Sequence, residues 1–374
     1  MANYSGPIID VDIHHNWRSD EELIAYMPRR WQEYARGEGG GSRASLLPVA
    51  VGSPNTVLTF GRVDTWGDDG SPPGSDYPKL CEHLLDRYNY FRAVLTHPLG
   101  DYGTIQNHYF AQAVCEAANN WTIDQWLARD ARLYSGVAIP TATPDQAVAE
   151  IRRVGHHPRM VAVLLCGNPF ARPIGDPIYH PIYETANELG LAVHVHPSLS
   201  DRPNYLTTVA GGPLGYIDGI SQYSQQASHY LSSLIVHGVF EKYPNLRFII
   251  KEYGLGWLPA VLWRLDAEYT MLKRESPWVR RLPSEILLQH VKLDTQPFED
   301  SPDDRHGLAT LLSTVDGVED MLCFATDYPH GSMDEPGYVA RRLPSEWHSK
   351  VFCVNACEVY GWSVPEPTWR SLQS

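Results

Sequence analysis

The sequence lacks several features that would assign it to a class at once. None of its six cysteines lies in a CxxC pair, no run of Lys and Arg stands out, and no apolar stretch approaches the ~20 residues of a membrane-spanning helix. The formal net charge is −14, and a nucleic-acid surface would need clustered basic residues. We therefore expect scattered reduced thiols, no nucleic-acid partner and no membrane partner.

The first residues also lack a targeting pattern. Residues 1–7 have neither a basic start nor an apolar core, so they do not predict a signal peptide. Together with the reduced thiols, this predicts a cytoplasmic protein. The length of 374 residues suits either one large α/β barrel or two ordinary domains.

Short apolar runs alternate with helical segments along most of the chain. After the first strand, near residues 8–14, strands are predicted at residues 91–96, 133–139, 160–165, 191–196, 247–252, 291–295 and 321–326. Helices are predicted at residues 107–130, 144–154, 177–189, 221–242, 258–272 and 307–314. Strands separated by helices in this way predict a single parallel (β/α)8 TIM barrel over residues 1–374.

One long region interrupts this alternation. Residues 17–80 contain two Gly-rich, polar stretches of loop composition. A loop of this length in a compact domain is usually functional. We interpret residues 17–80 as an insertion after strand 1 that borders the active site.

The first strand is an apolar run that ends in acids and imidazoles. Alternation predicts that Asp10, Asp12 and His14 share one face, while the isoleucines and the valine between them share the other. A carboxylate and an imidazole at a strand end can reach the same cation. This stretch therefore predicts the start of a metal site.

Other predicted strands also end in ionisable residues. These are His194, His196, Glu252 and Asp327, with His330 shortly after. In a barrel, these ends meet at one face. Burying such groups is costly unless they bind a cation, and oxygen and nitrogen ligands suit Zn²⁺, Mn²⁺ or Fe²⁺. We predict one or two divalent metal ions, held by Asp12, His14, His194, His196, Glu252 and Asp327.

Several of these residues keep an alternative role. His194 lies one layer deeper than His196 and is either a ligand or a buried hydrogen-bonding histidine. Glu252 is a ligand, an acid or base, or an acceptor that orients a histidine. Asp327 is a ligand, a general base, or both, and His330 is either catalytic or a loop histidine.

Substrate contacts are predicted from the loops and helices of the same face. His229 lies in the first half of a helix that leaves this face, so it could reach the pocket. The aromatic residues Trp17, Tyr205, Tyr216 and Tyr328 could line a pocket for a small-molecule substrate, or could pack in the core. Residues 17–80 and 197–220 should set specificity.

Four stretches together resemble a known family. They are IDVDIH at 9–14, HGVFEKYPNLRF at 237–248, EYGLGWLP at 252–259 with RLD at 264–266, and ATDYPH at 325–330, followed by NA at 355–356 and YG at 360–361. They resemble the amidohydrolase-related group of the amidohydrolase superfamily, which includes aminocarboxymuconate semialdehyde decarboxylase. The resemblance implies a metal-dependent TIM barrel, usually a hydrolase or a non-oxidative decarboxylase, and often a homodimer.

The resemblance also assigns residues. It implies that Asp12 and His14 are the first-strand ligand pair, His196 the fifth-strand histidine and Asp327 the eighth-strand aspartate. Two positions depart from the family pattern. Glu252 stands where many members have a catalytic histidine, and strand 4 ends without the lysine that bridges two metals in binuclear members.

These observations lead to one main function and two alternatives. The main expectation is a hydrolase or non-oxidative decarboxylase of a small carboxylate, amide or lactone, acting through a metal-bound water with Asp327, Glu252 and His330 as catalytic residues. The surplus of ligands also permits a non-haem iron or di-iron monooxygenase on the same barrel. A barrel that binds a ligand without catalysis is the third alternative.

Overall fold

The strands of the chain form one parallel sheet. The computed structural model describes residues 4–38, 44, 46, 61–97, 102, 105–166, 172–197, 221–299, 304–366 and 368–370. Eight strands lie side by side in chain order. They are β1 (Ile8–His14), β2 (Tyr90–Thr96), β3 (Leu133–Ala138), β4 (Met160–Cys166), β5 (Ala192–His196), β6 (Phe248–Ile250), β7 (Val291–Asp294) and β8 (Leu322–Cys323). The predicted (β/α)8 barrel is confirmed.

Hydrogen bonds between β1 and the segment that follows β8 close the barrel. The backbone N–H of Val11 donates to the carbonyl of Phe324 at 3.0 Å. The N–H of His14 donates to the carbonyl of Tyr328 at 2.6 Å, and the N–H of Asp327 donates to the carbonyl of Asp12 at 3.1 Å. The two stretches that carry the strongest metal-site prediction are therefore direct neighbours in space.

Helices surround the barrel. They are α1 (Asp20–Ile24), α2 (Arg29–Arg36), α3 (Tyr77–Leu80), α4 (His108–Thr122), α5 (Pro144–Val154), α6 (His180–Leu189), α7 (Tyr223–Val236), α8 (Val239–Lys242), α9 (Leu258–Ala267), α10 (Tyr269–Glu275), α11 (Pro283–His290), α12 (Gly307–Leu312), α13 (Pro336–Ala340) and α14 (Asn355–Tyr360). Pro144 begins α5, and Gly190, at φ 67°, ends α6, as the sequence predicts. Within the described part of the chain, no helix is long and apolar enough to cross a membrane.

Two helical predictions need correction, and the predicted insertion contains short helices. The helix predicted at 221–242 is divided into α7 and α8 at Gly238, whose φ is 66°. The helix predicted at 258–272 is likewise two helices, α9 and α10. The insertion at 17–80 contains α1, α2 and α3, while residues 39–43, 45 and 47–60 lie outside the described residues.

Among the described residues, buried apolar side chains form two separate cores. The larger core lies between the sheet and the helices and includes Ile8, Ile13 and Tyr90. The smaller core lies inside the barrel at the N-terminal ends of the strands. It contains Ile9, Val11, Ala162, Ala192, Ile249, Cys323 and Ala325, and Cys353, Ala356, Cys357 and Val359 from the C-terminal segment cover it. The N-terminal end of the barrel is thus filled, which leaves the C-terminal ends of the strands for a site.

Candidate metal centre

A bulge in β1 brings Asp12 and His14 to the inside of the barrel. The pairing of β1 with β2 shifts register between Asp10 and Ile13. Both Val11 and Asp12 consequently face the barrel interior, whereas Ile13 returns to the core under the helices. The prediction that Asp10 shares the face of Asp12 and His14 is wrong. The Asp10 carboxylate instead accepts hydrogen bonds from Tyr90 Oη at 2.9 Å and Thr326 Oγ1 at 2.7 Å.

Two ligand candidates adopt a backbone conformation that is uncommon outside glycine. Glu252 has a φ of 59° and Asp327 a φ of 60°, both in the left-handed region. Each follows directly after a strand or its extension, where a regular strand would alternate faces. In this conformation both carboxylates turn toward the histidines at the mouth of the barrel.

Six side chains meet at this face, and we call them the ligand cluster: Asp12, His14, His196, Glu252, Asp327 and His330. Glu252 Oε1 lies 3.1 Å from His14 Nε2 and 2.8 Å from His196 Nε2. Asp12 Oδ2 lies 3.7 Å from each of the same two nitrogens. Residues more than 200 positions apart in sequence are therefore within reach of one ion.

The cluster divides into two overlapping groups. Asp12, His14, His196 and Glu252 form the first, and His14, Glu252, Asp327 and His330 form the second. In the second group Asp327 Oδ1 lies 2.5 Å from His330 Nδ1 and 3.3 Å from His14 Nε2. His14 and Glu252 belong to both groups. The geometry thus offers two adjacent positions for a cation, each with four candidate ligands.

The hydrogen bonding of the cluster fits a bound cation. Asp12 Oδ2 is buried and accepts no hydrogen bond from the residues that the structure describes. A buried carboxylate oxygen without a donor is costly, and a metal ion satisfies it. The donors are imidazole nitrogens and carboxylate oxygens, which suit Mn²⁺, Zn²⁺ or Fe²⁺.

Lys251 and Thr96 hold the other oxygen of Asp12. Lys251 Nζ donates to Asp12 Oδ1 at 3.1 Å and to Thr96 Oγ1 at 3.0 Å, and the Thr96 hydroxyl also contacts Asp12 Oδ1. Burial raises the pKa of Asp12, but the Lys251 ammonium and the imidazoles of His14 and His196 outweigh it and lower the pKa. Asp12 is therefore an ionised carboxylate with Oδ2 turned to the histidines.

The pKa values of Asp327 and Asp294 shift in the opposite direction, upward. Burial and the nearby Glu252 carboxylate raise the pKa of Asp327. Burial and the negative charge of Asp12 likewise raise the pKa of Asp294 well above its usual range. Among the described residues, Lys251 is the one ammonium paired with a carboxylate of this site, and its partner is Asp12. Negative charge accumulates here, and a divalent cation would neutralise it.

The structure places His194 outside both groups. Its Nε2 lies 2.9 Å from the hydroxyl of Tyr360, which belongs to α14 at the N-terminal end of the barrel. The predicted role of His194 as a ligand therefore needs correction: its side chain lies one layer below the cluster. Its alternative role as a buried hydrogen-bonding histidine matches the structure.

The predicted substrate contacts also need correction. Trp17 and Tyr328 are buried in the core under the helices, where Trp17 packs edge-on against Trp121 at 6.0 Å. The Tyr328 ring packs edge-on against His83, with the ring centroids 6.0 Å apart. His229 is exposed on the surface of α7. Tyr205 and Tyr216 lie outside the described residues.

Sequence reasoning missed three residues of the site: Lys251, Thr96 and Asp294. A lysine is usually assigned to the surface, and alternation allows only one of Lys251 and Glu252 to face inward. Asp294 gave a usable signal, because it ends β7 just as the other acids follow their strands. Thr96 ends β2 and is too common a strand residue to stand out.

Comparison with known proteins agrees with this geometry. The family model described as amidohydrolase matches residues 9–362. The gamma-resorcylate decarboxylase of Polaromonas sp. is 23% identical over 283 residues, which cover 71% of this chain and 84% of that protein. The match covers most of both chains.

Solved structures show the same fold. An amidohydrolase from Mycobacterium avium subsp. paratuberculosis has a TM-score of 0.68 and 20% identity, covering 96% of this chain and 99% of that one. A dihydroxybenzoic acid decarboxylase from Polaromonas sp., with bound manganese and the inhibitor 2-nitroresorcinol, has a TM-score of 0.64 and 17% identity, covering 97% and 99%. The chain therefore belongs to the amidohydrolase family, as a metal-dependent hydrolase or lyase built on a TIM barrel.

Proposed function

We propose that the chain catalyses the metal-dependent, non-oxidative decarboxylation of a small aromatic acid that carries a hydroxyl group beside its carboxylate. The observation that carries this proposal is the convergence of Asp12, His14, His196 and Asp327 at the C-terminal face, where the buried Asp12 Oδ2 has no hydrogen-bond donor among the described residues. The substrate class is supported by the relatives, which are named as decarboxylases of resorcylate and of dihydroxybenzoic acid.

The residues of the cluster have different tasks in this proposal. Asp12, His14, His196 and Glu252 would hold a divalent ion, Mn²⁺ or Zn²⁺, with Asp327 beside it, and the bound ion supplies positive charge that anchors the substrate oxygens. Lys251 and Thr96 fix the rotamer of Asp12. His196 Nδ1 lies 2.7 Å from the carbonyl of Pro197, which directs its Nε2 toward the cluster.

Asp327 and His330 are placed to deliver a proton. In the reaction the bond between the ring carbon and the carboxylate breaks, carbon dioxide leaves, and the electron pair stays on the ring carbon, which then takes a proton. The Asp327 carboxyl donates this proton, and His330, whose Nδ1 is 2.5 Å from Asp327 Oδ1, returns one to it. Glu252 Oε1 faces Nε2 of both His14 and His196 and would complete the set of ligands.

The proposal is tested with protein loaded with Mn²⁺ and incubated with 2,6-dihydroxybenzoate and its hydroxybenzoate isomers. We expect release of carbon dioxide and formation of the matching phenol. The control is Asp320→Asn, because Asp320 is a surface carboxylate paired with Lys350 and should not affect turnover. Metal-replete protein that turns over none of these acids would contradict the proposal, and activity on amides or lactones would redirect it to hydrolysis.

A second candidate rests on the two overlapping ligand groups. Glu252 is shared by both, so it could bridge two ions without the lysine of binuclear relatives. Two irons held in this way would suit a non-haem di-iron monooxygenase, which needs oxygen and an external reductant. Elemental analysis of anaerobically purified protein separates the candidates. About two irons per chain, with oxygen uptake on adding substrate, would favour the second; stoichiometric zinc or manganese alone would exclude it.

The setting of the enzyme is also proposed from its sequence and family. The cytoplasmic location and the homodimer remain predictions. Fractionation of the source cells and the molecular mass in solution test each of them directly.

A further inference from the structure

The turn at the end of β6 delivers two consecutive side chains to one site. Ile249 lies in the core inside the barrel and Ile250 in the core under the helices, as alternation requires. Lys251 then faces inward and contacts Asp12. The next residue in a regular strand would face the helices, yet Glu252 also contacts the cluster, at His14 and His196.

The left-handed backbone of Glu252 produces this exception. The N–H of Lys251 still donates to the carbonyl of Val195, at 2.9 Å, and continues the pairing of β6 with β5. At Glu252 the pairing ends and φ becomes 59°, a conformation that non-glycine residues seldom adopt. Such a conformation persists only where neighbouring groups hold it in place.

One side chain holds it directly. The N–H of Glu252 donates to Oδ1 of Asp294 at 3.0 Å. Asp294 is the last residue of β7 and is 1% exposed. Because Ile250 pairs with Leu293, Asp294 stands beside the residues where β6 ends. Its carboxyl group therefore accepts a hydrogen bond from the first N–H of β6 that no longer pairs with β5.

We infer that Asp294 is a positioning residue, which accepts the Glu252 N–H, fixes the left-handed turn and so places Glu252 Oε1 between His14 and His196. Without this acceptor the Glu252 N–H would be buried without a partner, and an extended backbone would carry the carboxylate away from both histidines. Asp294 thus acts on the metal centre through Glu252 and not as a ligand. The inference rests on the metal centre of the proposed function but not on its substrate.

The first test is the affinity of the full-length protein for Mn²⁺ alone, measured by competition with a chelator. Asp294→Ala removes the acceptor and should weaken Mn²⁺ binding by about 10–100-fold, as is usual when a group that orients a metal ligand is lost. Asp294→Asn keeps an oxygen acceptor at the same place and should restore most of the affinity. An Asn variant that loses as much as the Ala variant would overturn the inference.

The matched control is Glu299→Ala. Glu299 also accepts backbone N–H groups in the loop after β6, with Leu255 N at 2.9 Å, but it lies beyond the turn at Glu252. Its loss should lower stability and leave Mn²⁺ affinity unchanged. Equal losses of affinity in the Glu299 and Asp294 variants would show a general loosening of the loop and contradict a specific role.

The second test asks whether Asp294 acts through Glu252. If it does, Asp294→Ala should weaken Mn²⁺ binding little further when Glu252→Gln is already present, because residues that act through one contact are not additive. Full additivity of the two losses would overturn the inference. The absorption spectrum of the Co²⁺-loaded protein should change in the same direction in both single variants.

Folding of the variants is checked by circular dichroism. Should Asp294→Ala not fold, Asp294→Val, which lacks the acceptor and suits a strand end, takes its place. Failure of both to fold would assign Asp294 to stability alone and contradict the inference. Since none of these measurements uses a substrate, failure of the proposed decarboxylation would be seen separately.

Discussion

The two ends of the barrel interior are built differently. At the N-terminal end, Ile9, Val11, Ala192 and Ile249 point inward with regular alternation and form an apolar core beneath α14. At the C-terminal end, alternation fails at the bulge around Asp12 and at the left-handed residues Glu252 and Asp327. The alternating strand pattern alone predicts the side-chain arrangement at the N-terminal end. The arrangement at the C-terminal end depends on departures from that pattern.

The exceptions are what allow a dense cluster to form. A regular strand sends only every second side chain inward, so neighbouring residues cannot serve one site. The left-handed turn lets Lys251 and Glu252 both reach it. A left-handed non-glycine residue costs about 1–3 kcal/mol, and closure of the barrel by the Asp327 N–H and the bond from Glu252 N to Asp294 helps to offset this cost.

Two buried lysines show the same contrast. Lys292 is only 3% exposed, but its partner Glu358 is 60% exposed, so water still solvates that carboxylate. Lys251 and its partner Asp12 are both 0% exposed. The lysine near the filled end lies beside a solvated carboxylate, whereas the lysine at the site balances a charge that water cannot reach.

The largest effect is expected from a change in the cluster that leaves its backbone intact. Asp327→Asn should lower kcat by about 10²–10⁴-fold, because the amide cannot donate the proton and is a weaker ligand. Asn tolerates the left-handed backbone, so the fold should survive. Decarboxylation kinetics with Asp320→Asn as control measure the effect, and a loss below tenfold would contradict the role given to Asp327.

A pair of lysine variants sharpens the comparison of the two ends. Lys251→Met leaves Asp12 buried without its countercharge and should lower the free energy of unfolding by about 3–5 kcal/mol. Lys292→Met leaves a solvated Glu358 and one unpaired carbonyl, that of Asp320, and should cost about 1–3 kcal/mol. Urea denaturation of the metal-free proteins measures both, and equal losses would remove the contrast.

The smallest effect is expected inside the apolar end. Ile249→Val should lower the free energy of unfolding by about 0.5–1.5 kcal/mol through one lost methylene group. Mn²⁺ affinity should remain that of the unmodified chain, because this residue lies below the cluster. A clear change in affinity would show that packing at the filled end controls the site.

The same contrast explains what could be predicted from the sequence. Apolar runs of strand length gave the eight strands, and residue type at strand ends gave Asp12, His14, His196 and Asp327. Alternation then misplaced Asp10, because a bulge leaves no mark in a pattern of residue types. Lys251 was missed because its burial depends on a partner from β1, more than 200 positions away.

Aromatic residues were the poorest guide to the site. Trp17 and Tyr328 have the size and polarity of pocket residues, but the same properties serve the core, and the structure places both there. Asp294 could have been selected, since it ends a predicted strand, but its task depends on the backbone of Glu252. The role of Asp294 can be recognised only from the structure, where the ends of β6 and β7 lie side by side.

The central claim is that barrel closure gathers distant acids and imidazoles around a cation. The most direct measurement is an anomalous-difference map from crystals grown with Mn²⁺, recorded at the manganese absorption edge. The account predicts a peak bounded by Asp12, His14, His196 and Glu252, with a second peak beside Asp327 and His330 if two ions bind. A map with no peak among these side chains, or with its only peak elsewhere, would contradict the account.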